Sequence, residues 1–120
     1  MKFAERKIIF HGSYFADFYL EQSIKVQEKL EFVLRIIRQV ERVSKKFLSQ
    51  MEGTDGLYEV RIEYSSDIYR IFCCFDEGNI VVLLNGFQKK TQKTPLKEIK
   101  KALRLKCEYF ELKKTQKNEK

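Results

Sequence analysis

Hydrophobic positions follow two different periods along this chain. Between Ile24 and Val43, the residues Val26, Leu30, Val33, Ile37 and Val40 recur at spacings of four, three, four and three. That is one wide apolar stripe, and it predicts a helix over 24–43. Glu31 precedes Arg35 by one turn on the wet side, a supporting pair. Further along, the period changes to two. "LYEVRIEY" (57–64) sets Tyr58, Val60, Ile62 and Tyr64 on one face, with Leu57, Glu59, Arg61 and Glu63 on the other. "IYRIFCCF" (68–75) is apolar on both faces except at Arg70. "IVVLLNGF" (80–87) reads as a buried central strand. "SSD" and "DEGN" are short turn sequences, so the three strands form an antiparallel meander.

The ends of the chain add weaker signals. "RKIIF" (6–10) reads as a short first strand, and Ser13 as a cap for a helix over 14–20. Thr94 as N-cap and Pro95 in the first turn predict a last helix over 96–110. Leu96, Ile99, Ala102, Leu103 and Phe110 form its apolar face, with Lys97, Lys100, Lys101 and Arg104 opposite. Lys106 falls on the apolar side and has to snorkel or lie past the packed region. The order is β-α-α-β-β-β-α, an α+β fold. The expectation is a small antiparallel sheet with its helices on one face and the other face partly open. Residues 1–112 read as one domain and 113–120 as a polar, frayed tail.

Composition narrows the function. At 120 residues and 43% hydrophobic, the chain supports one modest core. No run of eighteen apolar residues occurs, so no membrane span is expected. The start, "MKFAERKIIFHG", has no signal-peptide core, and a cytoplasmic location follows as an expectation. Cys73, Cys74 and Cys107 match no zinc spacing and read as small apolar residues. His11, the only histidine, has no partner visible in the sequence. No metal or other cofactor is expected.

The net charge of +7 is unevenly spread. From Lys89 to Lys106 there are eight basic residues against one acid, Glu98. Arg61 lies on the more polar face of its strand, and Arg70 interrupts an apolar one. A buried guanidinium is costly unpaired, so Arg70 should have a partner or reach solvent on the open face. An ion pair with Glu59 or Glu63 across the hairpin and a ligand role are the two readings, and they can coexist. Lys89, Lys90 and Lys93 follow the central strand. With Arg61 and Arg70 they would make a cationic surface suited to a phosphate backbone.

Several spaced motifs then resemble one family. They are Gly56-Leu57-Tyr58-Glu59-Val60-Arg61, Tyr69-Arg70-Ile71, the run from Gly86 through Phe87, Gln88, Lys89, Lys90, Thr91, Gln92, Lys93 and Thr94 to Pro95, and Glu98-Ile99 with Ala102. Together they resemble the phage-derived Gp49-like, HigB-type branch of the RelE/ParE toxin superfamily, over nearly the whole chain. The resemblance implies the toxin of a type II toxin–antitoxin pair. It implies a cognate antitoxin, a helix-turn-helix protein, as one partner, and mRNA on the ribosome as the other. Most relatives are metal-independent mRNA endonucleases in which the ribose 2′-OH attacks the neighbouring phosphate. By that analogy Arg61, Arg70 and Lys90 are the catalytic candidates, with Lys90 as the base. A lysine among other cations gives up its proton nearer neutral pH, whereas arginine stays protonated. Lys89, Lys93, Lys97, Lys101 and Arg104 are the RNA-binding candidates. One position departs from the pattern, since Asn85 stands where many relatives have histidine. Tyr58, Tyr69 and Tyr109 are then the remaining proton-transfer groups. The superfamily also holds ParE-like gyrase poisons, and inactive modules that only bind antitoxin, as alternatives.

Overall fold

The computed structural model describes residues 3–90 and 93–118. Within them the order is β1 (Lys7–Phe10), α1 (Tyr14–Leu20), α2 (Ile24–Gln39), β2 (Leu48–Gln50), β3 (Tyr58–Tyr64), β4 (Asp67–Asp76), β5 (Ile80–Lys89) and α3 (Leu96–Asn118). The fold is mixed α+β, and its sheet runs β1-β5-β4-β3-β2. The meander β3-β4-β5 is antiparallel, as the turn sequences predict. β1 joins parallel to β5, so the sheet as a whole is mixed rather than antiparallel. β2 is an addition: Leu48, Ser49 and Gln50 pair with Val60, Glu59 and Tyr58. Three residues carry too little periodicity to be read as a strand.

The layer arrangement corrects the expectation of helices on one face. Phe15, Phe18, Val26, Leu30, Val33 and Ile37 of α1 and α2 pack on Val60, Ile62, Ile71, Cys73 and Leu83. α3 lies on the opposite face, with Ala102 and Leu105 against Leu57, Phe72, Cys74, Val82 and Leu84. The sheet is therefore covered on both sides. The physical reason is in β4 and β5, which are apolar on both faces. Each large side chain left in water would cost about 1.5–3 kcal/mol. The adjacent cysteines fall into separate cores, and burial raises both thiols, Cys74 to about 11 and Cys73 further.

Helix ends differ from the expected boundaries for local reasons. α2 stops at Gln39 rather than 43, and Val40 turns into extended backbone. Arg6 causes this stop from far away in sequence. Its guanidinium donates to the carbonyls of Ile37 (2.9 Å), Val40 (2.7 Å) and Glu41 (2.7 Å). A cation at a helix C-terminus satisfies the orphan carbonyls and the dipole together. At the start of α2, Ser23 accepts from the Val26 N–H. Ser13 does not cap α1, because its hydroxyl donates to Asp17 instead. At α3 the carbonyl of Pro95 already accepts from Glu98 and Ile99, so Pro95 occupies the cap position expected of Thr94. α3 continues past 110 to Asn118, so the tail read as frayed is helical there. Residues 119–120 of that tail lie outside the described residues, as do Thr91 and Gln92 of the motif.

One irregularity in β5 decides which side chains reach which face. Leu83 pairs with Cys73, but Gly86 pairs with Ile71. β5 therefore carries one extra residue opposite Phe72, a bulge at Leu84–Asn85. Beyond it the alternation reverses, so Phe87 and Lys89 share the α3 face with Val82 and Leu84. Gly86 turns to the other face, where an added Cβ would meet the Phe18 ring at 2.6 Å.

Candidate functional site

Strand register builds a row of charged side chains on the α3 face. Arg61 and Arg70 are direct cross-strand partners, and Arg70 is paired on its other side with Phe87. The next row along holds Glu63, Ile68 and Lys89. The row before holds Glu59 opposite Phe72. Directly opposed side chains start about 5 Å apart at their Cβ atoms. The structure therefore brings Arg61, Arg70 and Lys89 together on one face of the sheet, with Glu59 and Glu63 flanking the arginine pair.

Two guanidiniums side by side repel, and the carboxylates offset this. Arg70 Nε lies 3.4 Å from Glu59 Oε2, so the expected pairing with Glu59 is present. It is a contact of charges without hydrogen-bond geometry. Glu59 Oε2 and Arg70 Nε and Nη1 are buried with no hydrogen-bond partner among the described residues. Arg70 is only 2% exposed. Burial lowers its pKa most, Arg61 lowers it further, and Glu59 and Glu63 pull it back. Arg61 is half-buried and has open access. Of the two arginines, Arg61 is the one that can touch a ligand, with Arg70 standing behind it as fixed charge.

The remaining candidates divide. Lys90 follows β5 and is exposed, but the register places Lys89, not Lys90, in the arginine rows. Lys93 is exposed ahead of α3. Lys101 turns toward α1, its Nζ 5.3 Å from the Tyr14 ring centroid. Lys106 reaches the Asp55 carbonyl at 2.7 Å on the β3 side, so it snorkels. Five residues along a helix amount to about 140° of rotation, so Lys101 lies on the side of α3 turned away from Arg61. Lys97 and Arg104 are exposed and share that stripe. The α3 cations are thus a separate surface from the arginine rows.

None of the three tyrosines reaches the arginines. Tyr58 and Tyr69 belong to the α1/α2 face of the sheet. Tyr109 donates to Asp76 Oδ2 at 2.7 Å, six residues along β4 from Arg70. At strand rise that is about 20 Å. Asn85, 2% exposed at the bulge, donates to the carbonyl and the carboxylate of Glu98 in the first turn of α3. It ties β5 to α3 and supplies no proton at neutral pH.

A second polar cluster was not legible in the sequence. Asp76 accepts from Tyr109 and from Lys113 Nζ (2.8 Å). Burial pushes its carboxyl up, but the hydrogen bonds from Lys113 and Tyr109 win and hold it below the ordinary value. The same contact raises Tyr109 to about 12, burial being the larger cause. His11 Nε2 lies 2.8 Å from Glu108 Oε1, the partner its sequence context did not reveal. These contacts pin the second half of α3 to β1 and β4. Among the described residues no group of His, Cys, Asp and Glu is arranged to hold a metal ion, and no helix is long and apolar enough to cross a membrane.

The fold and site thus define a small α+β protein, a doubly covered mixed sheet that carries a cross-strand arginine pair. The model of the phage-derived Gp49-like protein family matches residues 17–106, and the chain belongs to that family. No curated protein matches the sequence closely.

Proposed function

We propose that this protein is the toxin of a type II toxin–antitoxin pair and cleaves mRNA on the ribosome without a metal. The observation that carries the reading is the Arg61–Arg70 cross-strand pair with Lys89 in the adjoining row. Attack of a ribose 2′-OH on its neighbouring phosphate builds negative charge on a pentavalent centre. Arg61 meets that charge directly, and Arg70 raises the local potential without moving. Lys89 holds the flanking phosphate, and Lys90, just beyond the strand, takes the 2′-OH proton; the P–O5′ bond breaks, leaving a 2′,3′-cyclic phosphate and a 5′-oxygen that takes its proton from water. The ribosome places the substrate. A cognate antitoxin covers this rim in the resting state.

Arg61→Ala tests the reading. A transition-state contact worth about 3 kcal/mol sets the rate roughly 10²-fold lower. Cleavage of ribosome-bound mRNA should fall by that factor while the melting curve stays close to that of the parent, since Arg61 is half-exposed. Arg70→Ala should lose both activity and stability, because it leaves Glu59 buried without its countercharge, a loss on the order of 3 kcal/mol. A folded Arg61→Ala protein that cuts at the parental rate ends the nuclease assignment to this site. One observation favours a toxin that binds without cutting, of the gyrase-poison kind: Asn85, locked to Glu98, offers no general acid where relatives have histidine. Replication stopping before translation on induction would select that reading.

A further inference from the structure

Arg61 borders a second feature, a narrow cleft of about 170 Å³ at the β3 edge, lined by Lys29, Lys46, Phe47, Arg61 and Glu63. β2 pairs only as far as Val60, so beyond it the outer edge of β3 is met by the chain entering β2. The Arg61 N–H donates to the Phe47 carbonyl at 2.9 Å, which fixes that connection beside the arginine. Lys46 comes from this connection and Lys29 from α2. Three cations from three elements thus meet around one carboxylate, Glu63. Among the described residues none of the three forms an ion pair. Lys46 Nζ lies 5.6 Å from the Phe47 ring centroid, and Lys29 Nζ lies 5.4 Å from that of Phe32. These rings steady the ammonium groups without neutralising them.

Such convergence of uncompensated charge is unfavourable in the free protein, and an anion relieves it. We infer that this cleft is a second phosphate-binding station, holding the RNA backbone next to the phosphate met by Arg61. The inference rests on the RNA reading above and extends it. The arginine rows alone set three cations against two carboxylates, a weak field for a polyanion. Adding Lys29 and Lys46 makes five against two and continues the strand's path over the β3 edge. The half-buried Phe47 ring lines the cleft under the Lys46 ammonium, and once that ammonium turns to a phosphate a base can take its place on the ring, which favours a nucleic acid over an acidic peptide. The volume suits a phosphate rather than a folded element.

The test is an amide NMR titration of the full chain with a trinucleotide whose 2′ positions are methylated, so that it cannot be cut. The Lys46 and Phe47 amides should shift, and Lys29→Ala/Lys46→Ala should abolish the shift. The slope of log affinity against log salt should fall by roughly 0.7 for each phosphate contact removed. Shifts at Ile68 and Lys89 with silence at Lys46 and Phe47 would overturn the cleft and keep the RNA reading. Shifts at Lys46 and Phe47 with silence at Lys89 would support the cleft and remove Lys89 from the RNA path. Equal affinity and slope in the double variant, or silence throughout, would overturn the inference. So would a response to poly-aspartate and none to RNA, which would assign the cleft to a protein partner.

Discussion

Arg70 and Asp76 are buried charges on the same strand, and they are satisfied differently. Arg70 is held near one carboxylate by charge alone, whereas Asp76 takes hydrogen bonds from Tyr109 and Lys113. The difference fits their places, one at the candidate site and one at a structural anchor. Asp76 also makes a pH prediction. Its folded pKa lies below the ordinary carboxylate value, so its contribution to stability is complete above about pH 4. That contribution is lost as pH falls through the lower, folded value. Melting curves of the parent and of Asp76→Asn should therefore differ most at neutral pH and converge in acid. An equal gap at pH 7 and pH 2 would show that the Asp76 carboxylate is not the anchor.

At the scale of elements, α2 depends on a residue eighteen positions before its start. Arg6 closes its C-terminus with three carbonyl contacts, and its own N–H bonds the Arg38 carbonyl. Arg6→Ala should cost about 1–2 kcal/mol and should fray α2 from Ile36 onward. Amide exchange should quicken there and stay unchanged at the Ser23 end. Arg6→Lys should recover only part of the loss, because an ammonium cannot span three carbonyls as the planar fork does. Uniform exchange along α2 in the alanine variant would remove Arg6 from this role.

At the scale of the whole molecule, cationic groups concentrate at one end of the sheet and on one stripe of α3. The proposed antitoxin has to screen the first of these. Its affinity should weaken steadily as salt rises from 0.05 to about 0.5 M, because exposed charges lose their reach beyond a Debye length of about 10 Å at 0.1 M. A flat salt response would place the antitoxin elsewhere. Charge reversal at Lys97 and Arg104 should leave this dependence in place, since their stripe faces away from the arginine rows.

The sequence by itself determined the meander and the three helices. Period and turn chemistry are local, and Val26, Leu30, Val33 and Ile37 are buried as their spacing requires. That Arg61 and Arg70 share a face was not set by the sequence: a three-residue "SSD" turn would put them on opposite faces, whereas the turn is Ser65-Ser66 alone and Asp67 pairs with Tyr64. Tertiary structure decided the rest. α3 covers the second face because β4 and β5 have apolar surface on both sides, and no local pattern says which helix takes it. Arg6 holds the end of α2 through contacts with residues far apart in sequence, and Lys29 and Arg61 come to line one cleft in the same way. The position of Lys89 turns on a single inserted residue. Without the bulge at Leu84–Asn85, strict alternation would send Lys89 to the α1/α2 face and Lys90 to the arginines. The bulge reverses that parity. A one-residue shift moves every later side chain across the sheet, and pairing with β4, not composition, sets where the shift falls.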